Sequence, residues 1–326
     1  MTWMERIIAG SSLAGGRERL PALAKAPAGR RSQPRGVISA LSRALALLLL
    51  AGCAKTPPAP TSPAESRYPL HGVIVSVDAA RQKLVVQHEA ISGYMPAMTM
   101  EFSVSPGDLA NARPGQRIRA ELVPGAAGDM RLEKIWPDDK VAGDIVAVGV
   151  RALREDTSNR GRGAYREVGE TIPDFALYNQ SGTVVTAARF RGRQIMLNFI
   201  YTRCPVATMC PLATAKMMQT QQLARDAGVR DVEFVSFTLD PEHDTPGVLQ
   251  EYARQRGIDT ANFSFLTGPE SAIRDLLAQF GVIAEFEGGL LKHTLATLLI
   301  DKQGRIVHRA DGSLWEPRDF VKKMQR

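Results

Sequence analysis

Gln194-Ile-Met-Leu-Asn-Phe-Ile200 runs into Tyr201-Thr-Arg-Cys204-Pro-Val-Ala-Thr-Met-Cys210-Pro211, and this stretch decides the fold of the second half of the chain. A short apolar-rich run that stops at a polar turn is typical of a buried strand. The turn holds two of the three cysteines, with five residues between them, and a helical pattern begins at about Leu212. Two thiols between a strand and a helix indicate redox chemistry or soft-metal binding.

Strand-like and helix-like segments alternate on both sides of this stretch, over residues 168–326. In chain order we predict a hairpin over Pro173–Val185, the strand Gln194–Ile200, a helix over Leu212–Ala227, a strand over Val232–Leu239, helices over Pro246–Arg256 and Glu270–Phe280, a closing hairpin of Thr294–Ile300 with Ile306–Arg309, and a helix over Glu316–Met324. This β-α-β-α-β-β-α order predicts an α/β domain with the thioredoxin-like arrangement, in which helices cover both faces of the sheet.

Residues 68–137 show a different pattern, in which short alternating runs are separated by turn residues. We predict five strands, at Val73–Val77, Lys83–His88, Met98–Ser103, Arg117–Val123 and Met130–Ile135. Five strands without a convincing helix predict a small all-β, OB-like barrel that precedes the α/β domain.

Residues 138–167 join the two predicted domains. The segment Val141–Val150 has the composition of a further strand, whereas Arg151–Arg166 is charged, contains glycine and shows no apolar period. We therefore predict a mobile linker between the domains.

The basic charge of the chain is concentrated at its N-terminus. The 326 residues carry 41 Lys and Arg against 34 Asp and Glu, a net charge of +7. Residues 1–53 hold eight of those basic residues and two of the acidic ones, so the rest carries 33 against 32, a net charge of +1. A nearly neutral remainder gives no argument for a nucleic-acid partner.

The leader, residues 1–53, is typical of a targeting segment. Its apolar run, Ala44 to Ala51, is shorter than the ~20 residues that span a bilayer. Leu50-Ala-Gly-Cys53 resembles the bacterial lipobox, whose cysteine is lipidated and becomes the mature N-terminus, and a Pro-rich tether follows over residues 54–67. We therefore expect a protein that is lipid-anchored to the membrane of the bacterial cell envelope and faces the periplasm. In that oxidising compartment the other two cysteines remain as an even pair.

One strand of the predicted barrel carries candidate metal ligands. Met98 and Met100 are two residues apart, so their thioethers face one side of the strand, and His88 lies upstream. Thioethers with an imidazole suit Cu(I), although methionines at these positions also fill a barrel core without binding anything. The segment resembles the CusF-like periplasmic copper-binding domain, which implies that His88, Met98 and Met100 bind Cu(I). The copper-capping tryptophan of that family corresponds to Met95, which is either a third thioether ligand or a lid.

On the residues alone, the Cys204–Cys210 pair is a copper site, a redox dithiol or a structural disulfide. Arg203 and the nearby helix N-terminus both favour thiolate at Cys204. The spacing is not the C-x-x-C of thioredoxins, and Lys292-His293-Thr-Leu295 lacks the proline that thioredoxin-like proteins place there. Two thiolates with the imidazole of His293 make a low-coordinate soft site suited to copper.

The second domain resembles the Sco/SenC family of thioredoxin-like copper proteins. The resemblance is carried by Phe199-Ile-Tyr-Thr-Arg-Cys204-Pro, Cys210-Pro211, Leu239-Asp240-Pro-Glu-His-Asp244-Thr-Pro and His293. It implies that Cys204, Cys210 and His293 are copper ligands and that the two cysteines form a disulfide when oxidised. It also implies that Asp240 acts near the site without necessarily touching the metal. The family's usual spacing is C-x-x-x-C, so the ligand loop is two residues longer here and Met209 is a candidate auxiliary ligand.

We therefore expect a copper chaperone that serves the assembly of the Cu(A) centre of cytochrome c oxidase, with an oxidase subunit or another envelope copper protein as partner. Transfer by ligand exchange needs no turnover chemistry, so the chain is interpreted as a metallochaperone rather than an enzyme. Two alternatives stay open: a thiol-disulfide oxidoreductase that maintains copper-site cysteines, and a periplasmic copper buffer. His71, His243 and His308 are interpreted as surface or structural residues.

Overall fold

The computed structural model describes residues 66–125, 128–287 and 290–325. The predicted leader, the lipidation site Cys53 and residues 54–65 of the predicted tether lie outside the described residues. The described chain forms a five-stranded barrel, a long helix and an α/β domain, in that order. Over these ranges, no helix combines the length and the apolar character that crossing a membrane requires.

The N-terminal part is a closed barrel, as predicted. Its strands are β1 (Tyr68–Asp78), β2 (Lys83–His88), β3 (Met98–Ser103), β4 (Arg117–Pro124) and β5 (Met130–Pro137). The strands follow one another around the barrel in the order β1-β2-β3-β5-β4, and β1 pairs with both β2 and β4. Alternate residues of β2 are buried, namely Leu84, Val86 and His88, so these side chains point into the barrel.

A short helix, α1 (Pro106–Asn111), lies between β3 and β4, where the sequence reasoning placed none. Ser105 caps it, because its hydroxyl oxygen accepts a hydrogen bond from the amide of Asp108. Six residues are too few to display a helical apolar period, which is why the segment was missed.

The segment that we predicted to be a mobile linker contains a 21-residue helix, α2 (Lys140–Arg160), and the prediction of a strand over Val141–Val150 is wrong. Val146, Val150 and Leu153 lie on one side of the helix, at spacings of four and three residues, and pack against the neighbouring cores. The rest of the helix is mostly exposed. So narrow an apolar stripe is not recognisable in the sequence. The helix is stabilised by packing against the two domains.

The α/β domain contains the remaining elements. They are β6 (Ala176–Asn179), β7 (Val184–Thr186), β8 (Gln194–Ile200), α3 (Cys210–Asp226), β9 (Val232–Thr238), α4 (Pro246–Gln255), β10 (Phe263–Thr267), α5 (Glu270–Gln279), β11 (Ala284–Glu287), β12 (Leu290–His293), β13 (Ala296–Ile300), β14 (Ile306–Asp311) and α6 (Pro317–Met324). Seven strands form one sheet in the order β14-β13-β8-β9-β10-β6-β7, with β8, β9 and β10 parallel. The predicted α/β domain with thioredoxin-like order is confirmed.

Two features of this domain differ from the prediction. β10 is a short, fully buried strand that the sequence reasoning missed between α4 and α5. β11 and β12 form a separate two-stranded hairpin, and β13 begins only at Ala296. His293 is therefore the last residue of β12 and does not directly precede the closing strand.

The barrel and the α/β domain meet at α1 and α4. A Cβ atom on Gly107 of α1 would lie 2.0 Å from the carbonyl oxygen of Gly247 in α4. The two backbones therefore approach closely because neither residue carries a side chain.

A second contact lies beside the last strand of the barrel. The ring of Trp136 meets Tyr178 edge-on, with the ring centroids 5.9 Å apart, and Val146 of α2 completes a small buried core with them. The side-chain amide of Asn111 donates a hydrogen bond of 2.8 Å to the carbonyl oxygen of Gln180. The barrel, α2 and the α/β domain thus contribute one residue each to the small core.

Candidate metal centres

The fold brings together three of the residues predicted to bind metal. Cys204 lies in the turn after β8, Cys210 is the first residue of α3, and His293 ends β12. The two sulfur atoms and a ring nitrogen of His293 all lie within 4.8 Å of one another. Donors from a strand end, a helix start and a distant hairpin therefore converge on one point.

The imidazole of His293 is oriented for metal binding. Its Nδ1 donates a hydrogen bond of 3.1 Å to the carbonyl oxygen of Thr294, so the lone pair is on Nε2. Nε2 lies 3.4 Å from Sγ of Cys210. Burial lowers the pKa of His293, which favours the neutral ring that a metal requires. The ring of Tyr201 packs edge-on against the imidazole at 5.4 Å.

The two cysteines are both free and differ in exposure, since Cys204 is half-buried and Cys210 is buried. Burial raises the pKa of the Cys210 thiol, although this residue begins α3. The guanidinium of Arg203 donates to Oδ2 of Asp240 over 2.8 Å. The N-terminus of α3 is therefore at Cys210 rather than at Cys204. Arg203, the cation that was predicted to favour thiolate at Cys204, is paired with Asp240.

The longer loop between the cysteines does not separate them. Residues 205–208 are exposed and Met209 is half-buried, so the extra length lies on the surface while both sulfur atoms stay at the site. The auxiliary role of Met209 stays a prediction.

Two buried carboxylates lie behind the Cys204 turn. Asp240 accepts the hydrogen bond from Arg203 and does not belong to the group of three ligand atoms, and its role stays a prediction. Asp244 accepts hydrogen bonds from Thr202 and Thr238, and burial raises its pKa. Sequence reasoning assigned no role to Asp244. Its only signal is its place in the segment Leu239–Pro246, which carries part of the family resemblance.

The barrel residues predicted to bind copper share one face. His88 pairs with Met98 across β2 and β3, and Val86 pairs with Met100, so all four side chains lie on the same face of these strands. Met98 is 47% exposed and Met100 is half-buried, which places the thioethers between the core and the surface.

His88 has a buried nitrogen that is free to bind a metal. The residue is 2% exposed, and its Nδ1 donates a hydrogen bond of 2.7 Å to the carbonyl oxygen of Glu89. Among the described residues, none forms a hydrogen bond with Nε2, which therefore keeps an unused lone pair inside the protein. An orphaned imidazole nitrogen beside two thioethers fits Cu(I). Met95 is half-buried and packs against the barrel core, and its role as a ligand or lid stays a prediction.

The other histidines lie apart from both sites. His71 pairs with Asp138 at 3.3 Å on the surface, and the ring of His308 packs against Phe320 at 5.0 Å. His243 is exposed. These positions agree with their interpretation as surface or structural residues.

Comparison with protein families matches both domains. Residues 163–326 match the SCO1/SenC family model, and residues 67–137 match the model of the copper binding periplasmic protein CusF. The prediction that a CusF-like domain precedes a Sco-type domain is confirmed.

The α/β domain is also similar to individual proteins. The chain is 30% identical over 154 residues to the SCO1 protein homolog of Bacillus subtilis, which covers 46% of this chain and 78% of that protein. The crystal structure of a SCO1/SenC family lipoprotein from Bacillus anthracis is 27% identical, with a TM-score of 0.46, and covers 50% of this chain and 98% of that one. A structure of BsSco, described as having a disulfide switch and as a member of the Sco family of cytochrome c oxidase assembly proteins, is 25% identical, with a TM-score of 0.44, and covers 49% and 95%. The family match spans residues 163–326, half of this chain, and the chain therefore belongs to the SCO1/SenC family.

Proposed function

We propose that this chain is a copper protein of the bacterial cell envelope that binds one Cu(I) in each domain and supplies copper for the Cu(A) centre of cytochrome c oxidase. The observation that carries the proposal is the convergence of Cys204, Cys210 and His293, whose ligand atoms lie within 4.8 Å of one another. Two thiols and an imidazole are soft donors that select copper over hard cations. Transfer by ligand exchange passes the ion to the acceptor's donors and needs no turnover chemistry.

The barrel supplies the second site of the proposal. His88, Met98 and Met100 share one face of β2 and β3, and the buried Nε2 of His88 has its lone pair unused among the described residues. Neutral thioether and imidazole donors favour Cu(I) over Cu(II), because a soft, singly charged ion needs little charge compensation.

Copper titration tests both sites. Anaerobic Cu(I) titration of the purified chain is expected to give two ions per chain. The double variant Cys204→Ser, Cys210→Ser should bind one, as should the variant His88→Ala. His243→Ala removes an exposed histidine outside both sites and is the matched control that should still bind two. An unchanged stoichiometry in the double-serine variant would refute the site in the α/β domain.

Membership of the SCO1/SenC family supports the role in oxidase assembly. We expect deletion of the gene to lower the Cu(A) content of cytochrome c oxidase. The wild-type chain should restore that content and the double-serine variant should not. Copper sensitivity with normal oxidase would contradict delivery and indicate a copper buffer.

The second candidate function is thiol-disulfide exchange, which the unequal exposure of the two free cysteines favours. Half-buried Cys204 would attack a disulfide of the partner and form a mixed disulfide. Cys210 would then displace the partner as a dithiol, so that two electrons move to the partner and this chain is left oxidised. A reduction potential of the Cys204–Cys210 pair above that of the partner's disulfide would contradict this function, because the two electrons would then not move to the partner.

The location in the envelope also belongs to the proposal. The lipobox-like segment supports attachment through a lipid on Cys53, with the domains on the periplasmic side. Metabolic labelling with a fatty acid should mark the wild-type chain and not the variant Cys53→Ser. Equal labelling of both would exclude lipidation at this residue.

A further inference from the structure

The residues just before Cys204 are held by two buried carboxylates, Asp240 and Asp244, which lie in the segment that follows β9. Asp240 accepts from Arg203, the residue directly before Cys204. Asp244 accepts from Thr202, one residue earlier, through both the hydroxyl and the backbone amide. The last two residues before the ligand are therefore each fixed to a different carboxylate.

Asp244 is the more deeply placed of the two, with 0% of its surface exposed. Its Oδ1 accepts the hydroxyl of Thr202 at 2.5 Å, and its Oδ2 accepts the amide of Thr202 at 3.1 Å and the hydroxyl of Thr238 at 2.7 Å. All three donors are neutral groups, a backbone amide and two hydroxyls. Burying a carboxylate costs free energy unless its lone pairs are satisfied, so these hydrogen bonds strongly favour one position of the turn.

The loop between the two cysteines explains why the hydrogen bonds from Thr202 to Asp244 matter for the position of Cys204. Residues 205–208 are exposed, so the loop has little packing of its own to fix the position of Cys204. The other two ligands belong to regular elements, since Cys210 begins α3 and His293 ends β12. Cys204 is therefore the ligand whose position depends most on what lies directly before it.

We propose that Asp244 is a positioning residue of the metal centre, which holds Cys204 at the distance from Cys210 and His293 that copper requires by binding Thr202. The inference rests on the copper function proposed above. Asp244 reaches the metal only through Thr202 and the backbone, so its loss should weaken the site in the α/β domain without touching the site in the barrel.

The test uses the hydroxyl of Thr202, because the change is small. Thr202→Val keeps the shape and the backbone amide but removes the 2.5 Å hydrogen bond. We expect Cu(I) to bind the α/β site about tenfold more weakly, because loss of a buried hydrogen bond produces an effect of about this size. Thr202→Ser restores the hydroxyl and should restore the affinity. Asp244→Ala removes all three hydrogen bonds and should have a larger effect if the variant folds.

Two controls separate positioning from a general loss of stability. Thr220→Val removes a buried hydroxyl whose hydrogen bond lies within α3, to the carbonyl oxygen of Lys216, and it should leave the Cu(I) affinity unchanged. The barrel site of the same chain is the internal reference. A copper-free measurement, the alkylation rate of Cys204, should change in Thr202→Val and not in Thr220→Val.

The outcomes distinguish this inference from the proposed function. If the wild-type α/β site binds no copper, the proposed function fails and this inference fails with it. If the wild type binds copper and Thr202→Val binds it equally well, only the positioning role is refuted. Equal weakening by Thr202→Val and Thr220→Val would also refute it, because loss of stability would then explain both.

Discussion

The two candidate metal centres use one histidine geometry in two different surroundings. In each, Nδ1 donates to the carbonyl oxygen of the next residue, Glu89 for His88 and Thr294 for His293, which leaves the lone pair on Nε2. In the barrel the neighbouring donors are neutral thioethers placed by strand register. In the α/β domain they are thiols, one of them in an exposed loop, and Nε2 already lies 3.4 Å from a sulfur.

This difference means that copper binding at the α/β site depends on the protonation and oxidation of its thiols, whereas the thioethers of the barrel site do not depend on them. Thioethers carry no proton to lose, and no disulfide can form between them, so the barrel ligands are available over a wide range of conditions. Thiols must lose a proton to bind a metal and can be withdrawn by oxidation. We therefore expect the barrel to hold copper and the α/β domain to bind or release it according to thiol state.

Oxidation should separate the two sites by the largest effect. A thiol oxidant that joins Cys204 to Cys210 removes two electrons and two protons from the pair, and it should abolish Cu(I) binding at the α/β site while the barrel still binds one ion. Anaerobic titration before and after oxidation measures this, and reductant should restore the second ion. The same treatment of Cys204→Ser should change nothing. Loss of both ions on oxidation of the wild type would contradict the expectation that the barrel site does not depend on thiol state.

The contact between the barrel and the α/β domain at α1 should make the stability of the protein depend on pH. Burial raises the pKa of Asp108 in α1 to about 6, from 3.8 for the exposed group. Between those values the unfolded chain releases the proton and the folded chain keeps it, so this residue lowers the stability of the protein as the pH rises from about 4 to about 6. The full difference is about 3 kcal/mol. Asp108→Asn should therefore gain stability over the wild type by that amount at pH 7, and little at pH 4, in urea unfolding. An equal difference in the free energy of unfolding between Asp108→Asn and the wild type at the two pH values would contradict this expectation.

The glycine contact at the same junction should tolerate no side chain. Gly107→Ala places a Cβ atom 2.0 Å from the carbonyl oxygen of Gly247, so we expect a loss of about 2 kcal/mol in the free energy of unfolding. Gly143→Ala is the matched control, because among the described residues no atom outside the adjoining backbone of α2 lies within 4 Å of the added Cβ. It should be neutral or stabilising by about 0.5 to 1 kcal/mol. Equal stabilities for the two variants would show that the domains do not depend on this approach.

The smallest expected effect concerns the orphaned nitrogen of His88. His88→Leu removes a buried polar atom without a hydrogen-bond partner among the described residues, so the copper-free protein should gain about 1 kcal/mol. Copper binding at the barrel should be lost at the same time. Urea unfolding of both chains without copper measures the first effect, and Cu(I) titration the second. A less stable variant would contradict this expectation, because loss of the hydrogen bond from Nδ1 to Glu89 would then cost more than burial of Nε2.

Much of the fold could be predicted because local patterns coincide with tertiary burial. β2 and β8 have the predicted bounds, since one alternates between core and surface and the other is an apolar run. The ligands of the α/β site were predicted because thiols are rare in this chain and because the resemblance to the Sco/SenC family implies His293 as their partner.

The remaining elements depend on contacts that the sequence does not display. α2 has only a narrow apolar stripe, and its alternating valines resemble a strand until Val146, Val150 and Leu153 are seen packed. The β11–β12 hairpin, which places His293, was missed although the sequence has Gly288-Gly289, a pair typical of hairpin turns, between its two strands. The role of Asp244 follows from a hydrogen bond to Thr202, 42 residues away in the chain, which no local pattern reveals.

The small core of Trp136, Val146 and Tyr178 bears on how the chain can be divided. A barrel cut out at Pro137 would carry Trp136 away with an indole face exposed, and it would leave Tyr178 and Val146 exposed on the other fragment. Burying such rings contributes to the stability of both parts. Although the sequence looks like two modules joined by a spacer, each half expressed without the other would expose part of this shared core.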